Sequence, residues 1–469
     1  MKRIMIAAPK SGSGKTLITC GLLRLMTGRG LDTASFKCGP DYIDPMFHRR
    51  VLGVPGGNLD SFFSDENEIK EIFSRTQNEY AVIEGVMGIY DGISAGDPAK
   101  GSVIDLTGSC YDIARITSTP VVLVVDVRGM GQTMIPIIKG ILADDRSGLI
   151  RGILLNRISP RYYEQIAPLI RNSLPDTVSL IGGIPVSPDV KLESRHLGLV
   201  MPGEIDDLMK QVDAAAELLK NNVDIEALLS IMQAADLTDP IAGNCAADAG
   251  ITAIDPDGSA ARCKPILAVA RDEAFCFYYE ENLRVLEAAG MTIKEFSPLH
   301  DESIPADADG LLLGGGYPEL YADQLSGNVS MISSIRKAVS DGMPSLAECG
   351  GFMYLMDSLE DQEGRSWPMC GLIRGHSHYT GKLSRFGYIN ITLPDGRNIK
   401  GHEFHYFDSD NNGTDARAVK PGSGRYWDCI HCGPDHIWGY PHLWYRSCPD
   451  AVVKFRDAMM RFHRHEQLI

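Results

Sequence analysis

The stretch MKRIMIAAPKSGSGKT, residues 1–16, predicts the fold of the first half of this 469-residue chain. Residues 3–8 form a mostly apolar run typical of a buried strand, and a helical pattern begins at Lys15. Between them lies a loop rich in glycine and serine that ends in lysine and threonine. Such a loop, between a strand and a helix N-terminus, is typical of phosphate-binding sites because its backbone amides can surround anionic oxygens.

The loop predicts an ATP site. Its glycines let the backbone turn amides inward, its second lysine is expected to reach the β- and γ-phosphates, and its threonine is expected to ligate Mg²⁺. Pro9 stands where the first glycine of such loops is usual, and Lys10 adds a lysine at the start of the loop. The predicted ATP-binding residues of the loop are Lys10, Gly12, Ser13, Gly14, Lys15 and Thr16.

Outward from this loop, short apolar runs alternate with helical patterns. Strands are predicted at 3–8, 33–37, 80–84, 120–126, 150–156 and 178–182, and helices at 15–27 and 67–75. This alternation predicts a parallel, doubly wound α/β sheet. The pattern stops near residue 233, and residues 234–262, rich in Ala, Asp, Gly and Pro, are predicted to be a linker. A second α/β domain is predicted from 263 to 469, with strands at 265–270, 291–296 and 310–313 and a helix at 279–289.

The composition excludes several classes of protein. Hydrophobic residues make up 44% and charged residues 23%, as in ordinary globular domains. The net charge of −16 disfavours a nucleic-acid partner, since an acidic surface repels phosphates. We find neither an apolar run of about 18 residues, as a membrane helix requires, nor a signal-peptide pattern. With eleven cysteines in no repeated spacing, we expect a cytoplasmic protein with mostly reduced thiols.

Acidic residues at strand ends predict a metal and substrate site beside the phosphate loop. Glu84 ends one predicted strand, and Lys37, Asp41 and Asp44 lie at or just after the end of another. We expect Mg²⁺ to be held by Thr16, Asp44 and Glu84, because carboxylates suit this cation. Lys37, Asp41 and Asp44 are expected to serve substrate binding and phosphoryl transfer. Asn156, at another strand end, could contact adenine or cap a helix.

The segment PSLAECGGFMYL, residues 344–355, predicts a nucleophile elbow. A strand, a sharp turn at Cys349 and a helix follow one another, and small residues flank the cysteine as such a strained turn requires. The helix N-terminus favours the thiolate. The Gly350 amide is expected to form an oxyanion hole with a second donor from the glycine loop 314–316, which we assign to Gly315.

The residues alone leave the general base open, because nine of the twelve histidines follow Cys349. His442 lies just before a final predicted helix. His402 and His405 compete with it, and alternation along a strand is expected to place both on one face with Glu403 opposite. His376 and His378 are further candidates. Cys429, His431 and Cys432, with His436 or Cys448, are also weighed as a zinc site, although ordinary thiols are favoured.

Eight motifs of the chain together resemble the cobyrinate a,c-diamide synthase family of glutamine-dependent amidoligases. The match spans nearly the whole chain. The motifs lie at residues 9–16, 37–48, 58–60, 83–92, 270–283, 314–319, 347–351 and 401–405.

The resemblance implies an N-terminal domain similar to dethiobiotin synthetase, residues 1–233, that activates a carboxylate with ATP and Mg²⁺ through an acyl phosphate. It also implies a class I glutamine amidotransferase domain, residues 263–469, with Cys349 as nucleophile and His442 as base. The implied reaction amidates the a- and c-side chains of cobyrinic acid or its cobalt-free counterpart. The partners would be small molecules, with a homodimer as a further expectation.

Two alternative functions remain beside this resemblance, and one residue departs from the pattern of class I glutaminases. Ni-sirohydrochlorin a,c-diamide synthase shares the architecture and differs in the macrocycle. A partitioning ATPase would share the phosphate loop but would need no cysteine elbow. Class I glutaminases usually carry a glutamate two residues after the base, and here that position is Trp444. The resemblance therefore implies a Cys–His dyad. What orients His442 is left open, and Glu348 and Glu403 lie in the neighbouring motifs.

Overall fold

A computed structural model describes residues 1–93, 105–188, 190, 205–235 and 264–466. The chain divides into two compact units, Met1–Cys245 and Ala246–Ile469, and each is described by itself. The predicted linker, 234–262, lies outside the described residues except for its first two positions. Within the described part of the chain, the model contains no helix that is both long and apolar enough to cross a membrane.

The first unit is built on a seven-stranded sheet with the order β3-β2-β4-β1-β5-β6-β7. Its strands pair in parallel, which confirms the predicted architecture. The strands are β1 Lys2–Ala7, β2 Thr33–Cys38, β3 Gly56–Leu59, β4 Tyr80–Glu84, β5 Val121–Asp126, β6 Ile150–Asn156 and β7 Ser179–Ile184. The helices are α1 Lys15–Gly28, α2 Ile43–Leu52, α3 Glu66–Ser74, α4 Cys110–Ile116, α5 Met134–Ala143, α6 Pro160–Arg171, α7 Ile205–Asn222 and α8 Ile225–Ala234.

Both faces of this sheet are buried. Along β1, Met5 and Ala7 belong to one apolar cluster, whereas Ile4 and Ile6 belong to another. Successive side chains of a strand point to opposite faces, so a strand covered on both sides is apolar throughout. Strand β3 was not predicted, because its sequence GGNL carries no apolar period. It runs beside β2 so closely that a β-carbon on Gly56 would lie 1.5 Å from the Ser35 carbonyl oxygen.

The second unit has a six-stranded central sheet with the order β10-β8-β11-β13-β23-β22, parallel except for β22. Its strands are β8 Ile266–Ala270, β9 Phe275–Phe277, β10 Thr292–Phe296, β11 Gly310–Leu313, β12 Gly315–Gly316, β13 Ser345–Glu348, β14 Met356–Glu360, β15 Ser366–Pro368, β16 Ile373–Tyr379, β17 Arg385–Thr392, β18 Asn398–His405, β19 Phe407–Ser409, β20 Ala416–Val419, β21 Tyr426–Cys429, β22 His431–Cys432, β23 His436–Gly439 and β24 His442–Trp444. The helices are α9 Glu280–Ala288, α10 Ala322–Gly327, α11 Val329–Ser340, α12 Gly350–Leu355 and α13 Pro449–Glu466.

A five-stranded sheet of the same unit, with the order β21-β20-β17-β18-β24, pairs in antiparallel fashion. Strand β24 joins β18 at its edge and places His442 directly opposite His402. The predicted strands and helix of this half are all present, with ends that differ by at most one residue. The antiparallel sheet matters for function because it gathers histidines that are far apart in the sequence.

Candidate active sites

The phosphate loop connects β1 to α1 as predicted. Gly12 and Gly14 have φ angles of 73° and 94°, in the left-handed region that glycine adopts most easily. The Lys15 Nζ donates a hydrogen bond of 2.7 Å to the Met87 carbonyl oxygen and approaches the Lys10 carbonyl oxygen at 3.4 Å. Burial lowers the pKa of Lys15. The loop therefore holds a largely buried ammonium group where a phosphate would bind.

Three neighbouring strand ends bring the predicted acids and lysine together. Because β1, β2 and β4 are parallel neighbours, Thr16, Lys37 and Glu84 meet at one edge of the sheet. The Thr16 hydroxyl donates to Glu84 Oε1 at 2.6 Å, and Lys37 Nζ donates to the same oxygen at 2.8 Å. Lys37 Nζ also donates to Asp44 Oδ2 at 2.5 Å and lies 3.8 Å from Asp41. The structure thus joins every predicted residue of this cluster.

The charges of this cluster are fixed by burial and by one another. Burial would lower the pKa of Lys37, but the carboxylates of Asp44 and Glu84 raise it well above its usual range. Burial raises the pKa of Asp44, but the charge and hydrogen bond of Lys37, together with His48 and Glu84, outweigh burial, so the pKa ends below its usual value. Burial, with the charge of Asp44, raises the pKa of Glu84 to about 7. Lys37 is therefore a permanent buried cation between two acids.

The oxygens left over in this cluster suit a hard cation. Asp44 Oδ1 and Glu84 Oε2 are buried and have no hydrogen-bond partner among the described residues. Together with the Thr16 hydroxyl they present three oxygen ligands. Mg²⁺ is typically bound by one or two carboxylates, with water and phosphate oxygens completing its octahedron. The residues present therefore fit Mg²⁺, and they fit it as a partner of bound phosphates.

A cavity of about 620 Å³ opens over this cluster. One part of its wall is polar and includes the phosphate loop with Lys37, Asp41, Asp44 and Glu84. Another part is apolar and includes Ile184, Pro185, Val186 and Leu218. A cavity with these two kinds of wall can hold both phosphates and a flat apolar group.

Asn156, at the end of β6, is hydrogen-bonded to the phosphate loop. Its Nδ2 donates to the Ser13 carbonyl oxygen at 2.7 Å, and its Oδ1 accepts from the Arg157 amide at 2.9 Å. A β-carbon on Gly14 would lie 2.3 Å from the same Nδ2. An adenine contact for Asn156 stays a prediction. Sequence reasoning missed Arg157, which follows the same strand end and donates to the Gly12 carbonyl oxygen at 2.8 Å.

The thiol site has the predicted strand, turn and helix. β13 ends at Glu348, α12 begins at Gly350, and Cys349 between them has a φ of 48°. A non-glycine residue at positive φ is strained, and such strain concentrates at functional sites. A β-carbon on Gly350 would lie 2.9 Å from Pro318 Cδ and 3.1 Å from the Gly316 nitrogen. The glycine loop therefore lies against the turn, as an oxyanion hole requires.

His442 borders the same glycine loop. A β-carbon on Gly315 would lie 2.4 Å from His442 Cε1, so the ring occupies the space that a larger residue would need. The rings of His442 and His402 stack with centroids 5.0 Å apart. Burial lowers the pKa of His442 well below its usual range, and burial raises the pKa of the Cys349 thiol. Burial therefore favours the neutral form of both groups.

The expected arrangement of His402, Glu403 and His405 is wrong. Because side chains alternate with a period of two, residues 403 and 405 share one face of β18 and residue 402 lies on the other. His405 Nε2 contacts Glu403 Oε2 at 3.1 Å, and its ring stacks on Tyr440 at 4.2 Å. His402 instead contacts the Tyr279 hydroxyl at 3.2 Å and stacks on His442.

Other candidates from the sequence do not join the thiol site. His376 and His378 lie on β16, where their rings stack on each other at 6.2 Å. The zinc alternative gains no support, since no group of three or more His, Cys, Asp or Glu side chains able to hold a metal occurs among the described residues. Cys429 is buried in the apolar core beside Ala418 and Ile430.

Comparisons with known proteins assign both units. Residues 4–200 match the family model of the CobQ/CobB/MinD/ParA nucleotide binding domain. Residues 266–431 match the model of the CobB/CobQ-like glutamine amidotransferase domain. Cys349 lies within the second match, whereas His442 lies beyond its end. A nucleotide-binding domain and a glutamine amidotransferase domain in one chain define a glutamine-dependent amidoligase.

Full-length relatives identify the family within this class. The chain is 35% identical over 455 residues to cobyrinate a,c-diamide synthase of Clostridium tetani, covering 94% of this chain and 97% of the relative. It is 34% identical to that of Caldanaerobacter subterraneus, covering 98% and 99%. It is 35% identical to that of Methanothermobacter thermautotrophicus, covering 98% and 100%. The chain belongs to the cobyrinate a,c-diamide synthase family.

Proposed function

We propose that this chain uses ATP and glutamine to amidate the a- and c-side-chain carboxylates of cobyrinic acid or of its cobalt-free counterpart. The observation that carries the proposal is the presence, in one chain, of a phosphate loop with a buried lysine–acid cluster and of a cysteine elbow and a histidine that border the same glycine loop. The names of the relatives supply the macrocycle.

The first half-reaction activates a carboxylate. Ammonia does not displace oxide from a carboxylate, so the substrate carboxylate first attacks the γ-phosphorus of ATP and ADP leaves. Lys15, at the mouth of the loop, and Lys37, between the acids, offset the charge that spreads over the transferring phosphoryl group. Ammonia then attacks the acyl carbon and phosphate leaves. This scheme requires fixed positive charge near the phosphates, and the buried Lys37 would provide it.

The metal ligands of this site would be Thr16 Oγ1, Asp44 Oδ1 and Glu84 Oε2. A bound Mg²⁺ would neutralise negative charge on the phosphate oxygens. Lys37 keeps Asp44 and Glu84 at a fixed separation by donating to one oxygen of each, which leaves the second oxygen of each for the metal. Asp41, whose side chain is 32% exposed at the cavity wall, would orient the substrate.

The second half-reaction releases ammonia from glutamine. Cys349 Sγ attacks the carboxamide carbon, His442 takes the thiol proton, and the proton then goes to the departing ammonia. The amides of Gly350 and of the loop at Gly315 and Gly316 support the developing oxyanion. Water hydrolyses the glutamyl thioester and frees glutamate. Since burial keeps both reacting groups neutral, thiol activation is expected to follow glutamine binding.

The test is an amidation assay with defined tetrapyrroles. The purified chain is incubated with ATP, Mg²⁺, glutamine and either cobyrinic acid, its cobalt-free counterpart or Ni-sirohydrochlorin, and mass spectrometry counts the carboxyl groups converted to carboxamides. We expect two conversions on the corrinoid and none without ATP. Amidation of Ni-sirohydrochlorin alone would contradict the proposed macrocycle, and no ATP-dependent amidation of any of the three would contradict the proposed reaction.

A further inference from the structure

The position that usually carries the orienting acid of this glutaminase class is occupied here by Trp444. Its side chain is buried and packs edge-on against Tyr279, with ring centroids 5.1 Å apart. A proton-accepting base needs a partner on its other ring nitrogen, because that partner selects the tautomer and stabilises the imidazolium. The partner of His442 must therefore come from elsewhere in the fold.

We infer that Glu348, the residue immediately before the nucleophile, is the positioning residue of His442. Glu348 is 8% exposed, and its Oε2 lies 3.9 Å from His442 Nδ1. This distance is within the range of an ion pair and longer than a hydrogen bond. Such a contact strengthens as charge develops on the base. The contact is expected to shorten when His442 takes the thiol proton.

The carboxylate of Glu348 is fixed to the segment that carries His442. Its Oε1 accepts a hydrogen bond of 2.6 Å from the Tyr445 hydroxyl, and its Oε2 accepts one of 3.4 Å from the Leu443 amide. Asn282 holds the same segment from α9, because its Nδ2 donates to the Leu443 carbonyl oxygen and its Oδ1 accepts from the Tyr445 amide. These four hydrogen bonds hold the Glu348 carboxylate next to the segment that carries His442.

Other buried glutamates of this unit have different partners. Glu403 contacts His405 at 3.1 Å and accepts from Trp427 at 3.2 Å. Glu281 accepts a hydrogen bond of 2.7 Å from Arg446. The titratable groups that face Glu348, His442 or their direct partners are Tyr278, Glu319, Cys349, His402, Glu403, His405 and Tyr445.

The ionisation of Glu348 gives the inference a measurable signature. Burial raises the pKa of Glu348 to about 7, so the carboxylate is neutral below that pH and charged above it. A neutral acid cannot stabilise the imidazolium. Glutamine hydrolysis is therefore expected to rise as the pH increases through about 7. A residue with a purely structural role would change the rate without removing this rise.

The inference rests on the proposed glutaminase, so the experiment includes Cys349→Ala. Release of glutamate from glutamine by the full chain is measured against pH for the wild type, Glu348→Gln, Glu348→Asp and Cys349→Ala. Glu348→Gln is expected to lower kcat by about 10²- to 10³-fold, somewhat less than loss of a triad aspartate, with little change in KM. Its profile should lose the rise through pH 7, whereas Glu348→Asp should keep the rise at a lower rate. Glu403→Gln is the matched control and should keep the rise.

Each outcome decides one of the two proposals. A Glu348→Gln protein with the wild-type rate and rise, beside an inactive Cys349→Ala protein, would overturn the inference and leave the glutaminase intact. Hydrolysis that survives in Cys349→Ala would overturn the glutaminase itself. If thermal melting shows that Glu348→Gln is unfolded, Glu348→Asp decides, since a flat pH profile in that variant would overturn the inference.

Discussion

In the nucleotide site burial holds charges that pair with one another, whereas in the thiol site burial keeps the reacting groups neutral. Lys37 lies between Asp44 and Glu84, and the charges of these acids raise its pKa even though burial opposes this. Burial instead moves the pKa of Cys349 up and that of His442 down. Phosphoryl transfer needs fixed charge, and thiol chemistry needs charge only once glutamine is bound.

The two sites also handle backbone strain differently. Gly14 has a φ of 94° at little steric cost, because glycine has no β-carbon. Cys349 has a φ of 48° with a full side chain, so its surroundings must stabilise the turn. Gly351, two residues after the cysteine, packs so closely against β11 that a β-carbon on Gly351 would lie 2.2 Å from the Leu313 carbonyl oxygen. Tight packing on either side of the cysteine supplies the support.

The sharpest separation of the two sites is expected from Cys349→Ala. Loss of the nucleophile should lower glutamine-dependent synthesis by about 10⁴-fold or more, whereas added ammonia should restore synthesis, more readily at high pH where more of it is unprotonated. Diamide formation with each nitrogen donor is the measurement. Cys432→Ala, a partly exposed cysteine of the same unit, is the control and should behave as wild type. Loss of ammonia-dependent synthesis in folded Cys349→Ala protein would contradict two separate sites.

Lys15→Ala should lower diamide synthesis with glutamine and with ammonia alike, so ammonia should not rescue this variant. Loss of the Lys15 ammonium group is expected to lower the rate of synthesis by about 10²- to 10³-fold, as loss of one electrostatic contact to the transition state does. Initial rates with glutamine and with ammonia measure it. Lys139→Ala, on the exposed side of α5, should leave both rates unchanged. Near-wild-type ammonia-dependent synthesis in Lys15→Ala would contradict the phosphate-loop assignment.

His442→Ala should lower glutamine-dependent synthesis by about 10²-fold, at the lower end of what a general base supplies, and ammonia should rescue it. The loss should be smaller than for Cys349→Ala, since the nucleophile remains and the Gly350 amide still lowers the pKa of the Cys349 thiol against the effect of burial. The ratio of the two donor-dependent rates is the measurement. If ammonia rescues His405→Ala while His442→Ala is inactive with both donors, the base has been assigned wrongly.

Gly315→Ala tests the contact that defines the thiol site. The added methyl would lie 2.4 Å from His442 Cε1, so the ring must move. We expect glutaminase activity to fall by about 10-fold, because small misplacements of a catalytic group are costly. Gly327→Ala is the matched control, since its β-carbon meets nothing within 4 Å. Equal glutaminase rates in the two variants would show that the ring position does not matter.

Glu84→Gln should have the smallest effect, a shift in the Mg²⁺ requirement of about 10-fold with slower turnover, because an amide is a poorer ligand than a carboxylate. A titration of synthesis against Mg²⁺ measures it, with Glu79→Gln at the exposed Lys2 ion pair as control. An unchanged titration would assign the metal to Asp41, to Asp44 or to Asp126, the acid at the end of β5.

Much of the first unit could be predicted because its strands are buried on both faces. β4 and β6 begin and end where the apolar runs do, at Tyr80–Glu84 and Ile150–Asn156. β3 was not predicted, because the sequence GGNL of this edge strand has no alternation of apolar and polar residues. The error over His402 and His405 had a different origin, since residues three apart on a strand cannot share a face.

The sequence by itself determined the phosphate loop and the cysteine turn, because each is a contiguous segment whose residue types dictate its local backbone. Only the tertiary structure set His442 against the glycine loop and opposite His402, forty residues away, since β24 pairs with β18. The same pairing brings the segment after His442 to the Glu348 carboxylate. These contacts join distant parts of the chain through sheet registers, and no local pattern of residues specifies a register between distant strands.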